Sequence, residues 1–193
     1  MDRTRTLTHA SLLCNMVYSA YHMILGITTY SWWLFTIGVY YAILSIVRFV
    51  VLKHKGKNGF VIRFTGIMLM VLSISLVGTV ILAFVKDRGA EFHLIIMLAI
   101  AVYAFSKLTL ATIKWIKARK SNSAKLITLR NISFADAFVS IFSLQRSMLV
   151  SFEGMTEIEI RMMNAATGSV VCVIVFLLGF NLVQQKNRIK RKQ

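Results

Sequence analysis

Apolar residues along this chain neither alternate nor fall into a narrow helical stripe. They come in long runs broken by short polar clusters, at roughly 11–29, 32–52, 61–85, 92–113, 133–152 and 163–184. A hydrocarbon core about 30 Å thick takes about 20 residues of helix at 1.5 Å each, so runs of this length read as membrane-spanning helices. The pattern predicts an all-α fold: a polytopic membrane protein built as a six-transmembrane-helix bundle.

The polar clusters give the chain a direction. Arg3 and Arg5 precede the first run, and the next connection, near Thr29 to Ser31, carries no charge. Lys53, Lys55 and Lys57 follow the second run, with Arg63 close behind. After the third, Lys86 and Arg88 are balanced by Asp87 and Glu91. The fourth connection, 114–132, holds Lys114, Lys117, Arg119, Lys120, Lys125 and Arg130 and no acid. The fifth holds Glu153, Glu157 and Glu159 against Arg161, and the tail ends in Lys186, Arg188, Lys190, Arg191 and Lys192. Basic segments stay on the cytoplasmic side, so both termini are expected inside. Trp32, Trp33 and Trp115 stand at run ends, where interfacial aromatics belong.

Composition narrows the class. The chain is 57% hydrophobic, has no proline among its 193 residues and has a mean hydropathy of +0.69. Connections this short leave no room for a soluble catalytic domain, so 1–193 reads as a single integral membrane domain ending in a basic cytoplasmic tail, 185–193. The net charge of +16 lies beside apolar runs, which suits topology and anionic lipids and argues against nucleic acid as a partner. Cys14 and Cys172 fall within apolar runs and read as small hydrophobes. The first run lacks a cleavage site of the A-x-A kind and reads as a retained span. Short loops suit a bacterial plasma (inner) membrane.

The first three runs resemble the last three. Val17-Tyr18-Ser19, His22 and Gly26 align with Val102-Tyr103-Ala104, Lys107 and Ala111 at an offset of 85. Ser45 to Phe49 aligns with Ser143 to Ser147 at an offset of 98, which also carries Arg63 onto Arg161. Three spans per copy make the second copy face the other way, so the expectation is a 3+3 inverted repeat, an arrangement that recurs in secondary transporters. Composition bias alone also makes apolar helices look alike.

Polar residues inside the runs are the candidate chemistry, because an ionisable group in hydrocarbon costs about 2.5–3.5 kcal/mol. Ser133, Asp136, Ser140, Ser143 and Ser147 recur at steps of three and four and form one stripe, either a pathway lining or a close-packing face. Asp136 is the sole acid within a run. It is either functional or the acid of a capping box begun by Ser133. Arg146 is about 15 Å further along the same helix, too far to pair with Asp136 directly. Arg48, Arg146 and Lys107 either snorkel to headgroups or face a wet interior. Asn15, Ser19, His22 and Gly26 share a face, and His22 can exchange a proton. Asn164 and Gly168 suit a tight helix crossing.

No P-loop, H-E-x-x-H, G-x-S-x-G or paired-cysteine metal spacing occurs, so no enzyme, cofactor or metal is expected. The expected function is a transporter or permease-like protein for a small, anionic solute, with Arg146, Asp136, Arg48, Lys107, His22, Asn15, Ser140 and Ser143 as pathway or binding residues. The other reading is a non-transporting subunit: a scaffold, lipid binder or accessory partner of a membrane complex. A homodimer fits either one. The absence of proline favours continuous helices.

Overall fold

The computed structural model describes residues 2–53, 58–85, 94–119, 124–151 and 154–190. They form six helices: α1 (Asp2–Thr28), α2 (Trp32–Lys53), α3 (Asn58–Val85), α4 (Leu94–Arg119), α5 (Ala124–Ser151) and α6 (Glu157–Lys190). There is no strand among the described residues. Each helix runs unbroken, as a chain without proline allows.

Several boundaries depart from the hydropathy reading. α5 begins at 124 rather than 133, and α4 continues to Arg119. The expected long fourth connection is therefore mostly helix, and its remainder, 120–123, lies outside the described residues. Most of the expected tail, through Lys190, is a continuation of α6. Lys55, Lys57, Lys86, Asp87, Arg88, Glu91, Lys120 and Glu153 fall outside the described residues.

Local signals set the turns. α1 closes with Ser31 N–H donating to the Gly26 carbonyl at 3.0 Å, and Tyr30 takes the left-handed conformation at φ 52° that such a closure needs. A Cβ on Gly26 would stand 2.5 Å from the Phe35 nitrogen, so the backbones of α1 and α2 touch just beyond the turn. Before α6, Thr156 and Glu159 form a capping box: the Thr156 N–H and hydroxyl each donate to Glu159 at 2.8 Å. The capping box expected at Ser133–Asp136 does not exist, because α5 starts more than two turns earlier.

α1 packs on α2, α4 on α5, and α3 on α6, while α2 and α5 meet in the centre and both touch α3. The α3–α6 contact is the closest. A Cβ on Gly66 would lie 2.8 Å from the Gly179 carbonyl oxygen, and one on Gly179 would lie 2.7 Å from that of Gly66. Helices in lipid gain most by packing backbone to backbone in this way.

The bundle has an apolar core interrupted by a buried polar stripe, and its outer faces are apolar as well. α5, which carries the serine stripe, has 67% of its spanning stretch buried, whereas α4 has 22%. The exposed faces of α3, α4 and α6 are built from residues such as Ile74, Ile81, Val102, Phe105, Val173 and Leu177. Five helices are long and apolar enough to cross a membrane: α2 and the stretches 59–82, 95–118, 126–151 and 157–184. The apolar part of α1, Leu12–Thr28, is shorter. Helix length and exposed apolar faces together mark a membrane protein.

Candidate functional site

The site grows from two facing stripes. On α4 the buried positions are Ile100, Ala104, Lys107, Ala111, Lys114 and Ala118, at steps of three and four, so small residues and lysines alternate along one edge. That edge lies on the α5 stripe of Ser133, Asp136, Ser140, Ser143 and Ser147, all of them buried. Alanine opposite serine brings the helices close, and each lysine then finds an acceptor. Lys107 Nζ donates to Asp136 Oδ1 at 2.6 Å, and Lys114 Nζ donates to Ser133 Oγ at 2.9 Å.

Asp136 gathers three helices besides its own. Its second oxygen, Oδ2, accepts from Arg48 of α2 at 3.1 Å and from Asn15 Nδ2 of α1 at 2.9 Å. Asn15 turns its own oxygen to the Tyr103 hydroxyl, which donates at 3.2 Å. Arg48 and Asp136 are 0% and 2% exposed, and Lys107 is 6% exposed. One anion thus faces two cations where no bulk water screens them, and charge-assisted hydrogen bonds are strong in such a place.

Aromatic faces enclose the lysine. Its Nζ sits 4.2 Å from the Tyr41 ring centroid, 4.3 Å from Tyr103 and 5.5 Å from Tyr18. Tyr18 and Tyr103 stack at 4.4 Å, and Tyr41 meets Tyr18 edge-on at 4.9 Å. Ring faces attract an ammonium through their quadrupole, so the cage offsets part of the desolvation of Lys107. The Tyr41 hydroxyl shares a 2.8 Å hydrogen bond with Ser140, whose own hydroxyl donates to the Asp136 carbonyl. Ser143 is buried on the same α5 stripe.

The structure thus brings Asn15, Arg48, Lys107, Asp136 and Ser140 together, and Ser143 is buried about two turns further along α5. His22 stands at the margin. It is buried, its Nδ1 donates to the Tyr18 carbonyl at 3.0 Å, and its ring lies 4.0 Å from that of Tyr18. Arg146 is apart. It is buried toward the far end of α5, with its guanidinium 4.5 Å from the Trp33 ring. Neither arginine reaches a headgroup: snorkelling, one of the two sequence readings for Arg48, Arg146 and Lys107, does not describe residues buried this fully. Trp33 is likewise a core residue, which removes it from the interfacial reading, whereas Trp32 is exposed.

Two parts of the site were missed in the sequence. Lys114 was counted with a loop but lies within α4. The three cage tyrosines carried a signal that went unused, because tyrosine is an interfacial residue and these stand mid-helix. Among the described residues no group of three His, Cys, Asp or Glu side chains could hold a metal ion. No family model, curated protein or solved structure matches the chain.

Proposed function

We propose that this chain is a small permease-like transporter of an anionic solute, with Arg48 and Lys107 as the anion-binding pair and Asp136 as their exchangeable internal counter-ion. The observation that carries this reading is the Asp136 carboxylate held between two buried cations in the middle of a helix bundle. Ionisable groups at such depth are expensive and mark substrate or proton paths. An incoming carboxylate or phosphate competes with Asp136 for the same donors. A proton taken up by Asp136 cancels its charge and frees both cations, so a proton and an anion are bound together. His22, one cage ring away, is placed to deliver that proton. Arg146, further along α5, is a second attractive station on the path.

The reading includes a 3+3 inverted repeat with both termini in the cytoplasm of a bacterial plasma membrane. Register supports the repeat. Under the offsets of 85 and 98, Lys107 and Asp136 correspond to His22 and Gly38. A Cβ on Gly38 would lie 2.9 Å from the Met23 nitrogen and 3.1 Å from the Ser19 carbonyl oxygen, which bracket His22. The Gly38 contact of α2 with α1 and the Asp136 contact of α5 with Lys107 thus fall at matched positions, which supports the repeat. One copy has glycine there and the other has the charge.

The test is solid-supported-membrane current and uptake in proteoliposomes with small carboxylates and phosphate, under an inward proton gradient. Wild-type protein gives a saturable signal, Arg48→Gln and Lys107→Gln lose it, and Asp136→Asn keeps anion binding but loses the dependence on the gradient. Absence of any anion-dependent signal, or equal signals from all four proteins, overturns the reading.

One observation favours the non-transporting alternative, a subunit of a larger membrane complex. Gly26, Ile27, Tyr30, Ser31, Trp32 and Phe35 line an apolar hollow at the α1–α2 turn, with Tyr30 and Trp32 largely exposed beside it. Copurification of a stoichiometric partner from native membranes would select this reading.

A further inference from the structure

The two sides of the central α2–α5 pair are closed differently. On one side α3 and α6 touch backbone to backbone through Gly66 and Gly179. On the other, α1 and α4 share no Cα pair within 8 Å among the described residues. Among the described residues they meet through side chains: the Tyr18–Tyr103 stack, the Tyr103–Asn15 hydrogen bond and Lys107 over the Tyr18 ring. Both tyrosines are half-buried, and the Tyr103 ring lies 4.3 Å from Lys107 Nζ, which holds Asp136. The outward faces of the two helices carry Leu13 and Val17 on α1 and Leu98, Val102 and Phe105 on α4, all exposed and apolar. The seam therefore opens onto the lipid-facing wall of the bundle and not onto one of its ends.

This inference rests on the anion-binding reading above and names the form of the anion. We propose that the site takes a single-chain anionic amphiphile, bearing a phosphate or carboxylate headgroup, which reaches Lys107 and Arg48 sideways from the bilayer through the α1–α4 seam. The headgroup fits because, among the described residues, Arg48 and Lys107 converge on one carboxylate, with Lys114 buried further along α4 and Asn15 as a polar partner. The chain fits because the route to those charges is walled by apolar side chains. A freely dissolved anion would have to cross that wall without its hydration, which is costly. An acyl chain instead gains about 0.8 kcal/mol for each CH₂ it keeps in the hydrocarbon. The stacked tyrosines act as the door: swinging the Tyr103 ring aside gives up its stack on Tyr18, its hydrogen bond to Asn15 and its face on Lys107, all of them side-chain contacts.

The chain carries its own reporter. Cys14 is exposed and lies one helical turn from Tyr18 on the α1 face that meets Tyr103. In protein whose buried Cys172 is changed to serine (Cys172→Ser), a membrane-dissolved maleimide modifies Cys14 alone, and mass spectrometry gives the rate. Three probes are compared in proteoliposomes: dodecyl phosphate, inorganic phosphate and dodecyltrimethylammonium. Near ten times its Kd, dodecyl phosphate is expected to slow labelling about tenfold, while the other two leave the rate unchanged. Equal protection by inorganic phosphate overturns the lipid route and leaves the anion site standing. Equal protection by the ammonium amphiphile shows that the chain alone inserts, and overturns the proposal. No protection by any probe also overturns it; the anion-transport reading then survives only if the uptake signal persists with water-soluble anions.

Discussion

Lys107 Nζ lies 2.6 Å from one oxygen of Asp136, and Arg48 binds the other at 3.1 Å, so a single carboxylate ties α2 and α4 together through α5. A buried pair of this kind is a weak source of net stability, but breaking it is costly because the remaining charge is stranded. Asp136→Asn keeps the shape and removes the charge, leaving two cations. It is expected to destabilise the protein by about 3–5 kcal/mol, read as a lower melting temperature in detergent. Arg48→Met with Lys107→Met and Asp136→Leu removes these three charges at once and leaves Lys114 on Ser133. This triple variant is expected to fold at least as well as Asp136→Asn while giving no anion-dependent current.

The glycine contact between α3 and α6 predicts a second contrast. Gly66→Leu or Gly179→Leu pushes a side chain into the opposing backbone and is expected to cost about 1–3 kcal/mol by overpacking. Gly78 faces open space, with no atom within 4 Å of a built Cβ. Gly78→Leu should therefore melt with the wild type, and an equal loss at positions 66 and 78 would contradict the packing described above.

Trp33 and Arg146 form a buried cation–π pair. Trp33→Leu keeps an apolar side chain and loses the ring face. The pair contributes about 2 kcal/mol when desolvated, and the loss is expected as a lower melting temperature. Arg146→Met should lower it as well, and the two effects should not add when the variants are combined.

Membrane orientation is tested by single cysteines in protein lacking Cys14 and Cys172. Tyr30 and Met155 sit at the α1–α2 and α5–α6 turns and are exposed, and Lys53 ends α2 at the opposite side. An impermeant maleimide added to intact cells is expected to modify Tyr30→Cys and Met155→Cys and to spare Lys53→Cys. The reverse pattern would invert the topology.

Helix number and order were legible because lipid demands long apolar runs, and α2 was read to within a residue at each end. The start of α5 was not. Thr128, Asn131 and Ser133 look like loop residues, yet they are buried against neighbouring helices, which supply what lipid does not. Hydropathy assumes a lipid neighbour and so truncates a helix with protein all round it. The ionisable residues were found one by one, and the stripe on α5 was found as a stripe. Their convergence was not visible, because Asn15, Arg48 and Lys107 stand 121, 88 and 29 residues from Asp136. A neutrality argument would have helped: one acid among several basic groups inside the spans is their natural common partner. The tyrosine cage needed the helix rotations, which composition does not give.

The distance in sequence between Arg48 and Asp136 bears on biogenesis. A chain delivered from its amino end presents α2 to the insertion machinery with its guanidinium uncompensated, and the carboxylate that neutralises it is synthesised 88 residues later. Until α5 arrives, α2 must linger where water or a chaperone shields the charge. Nascent chains that stop after α4 should be cleared by quality-control proteases, and the emergence of Asp136 marks the point at which the bundle can first leave that care.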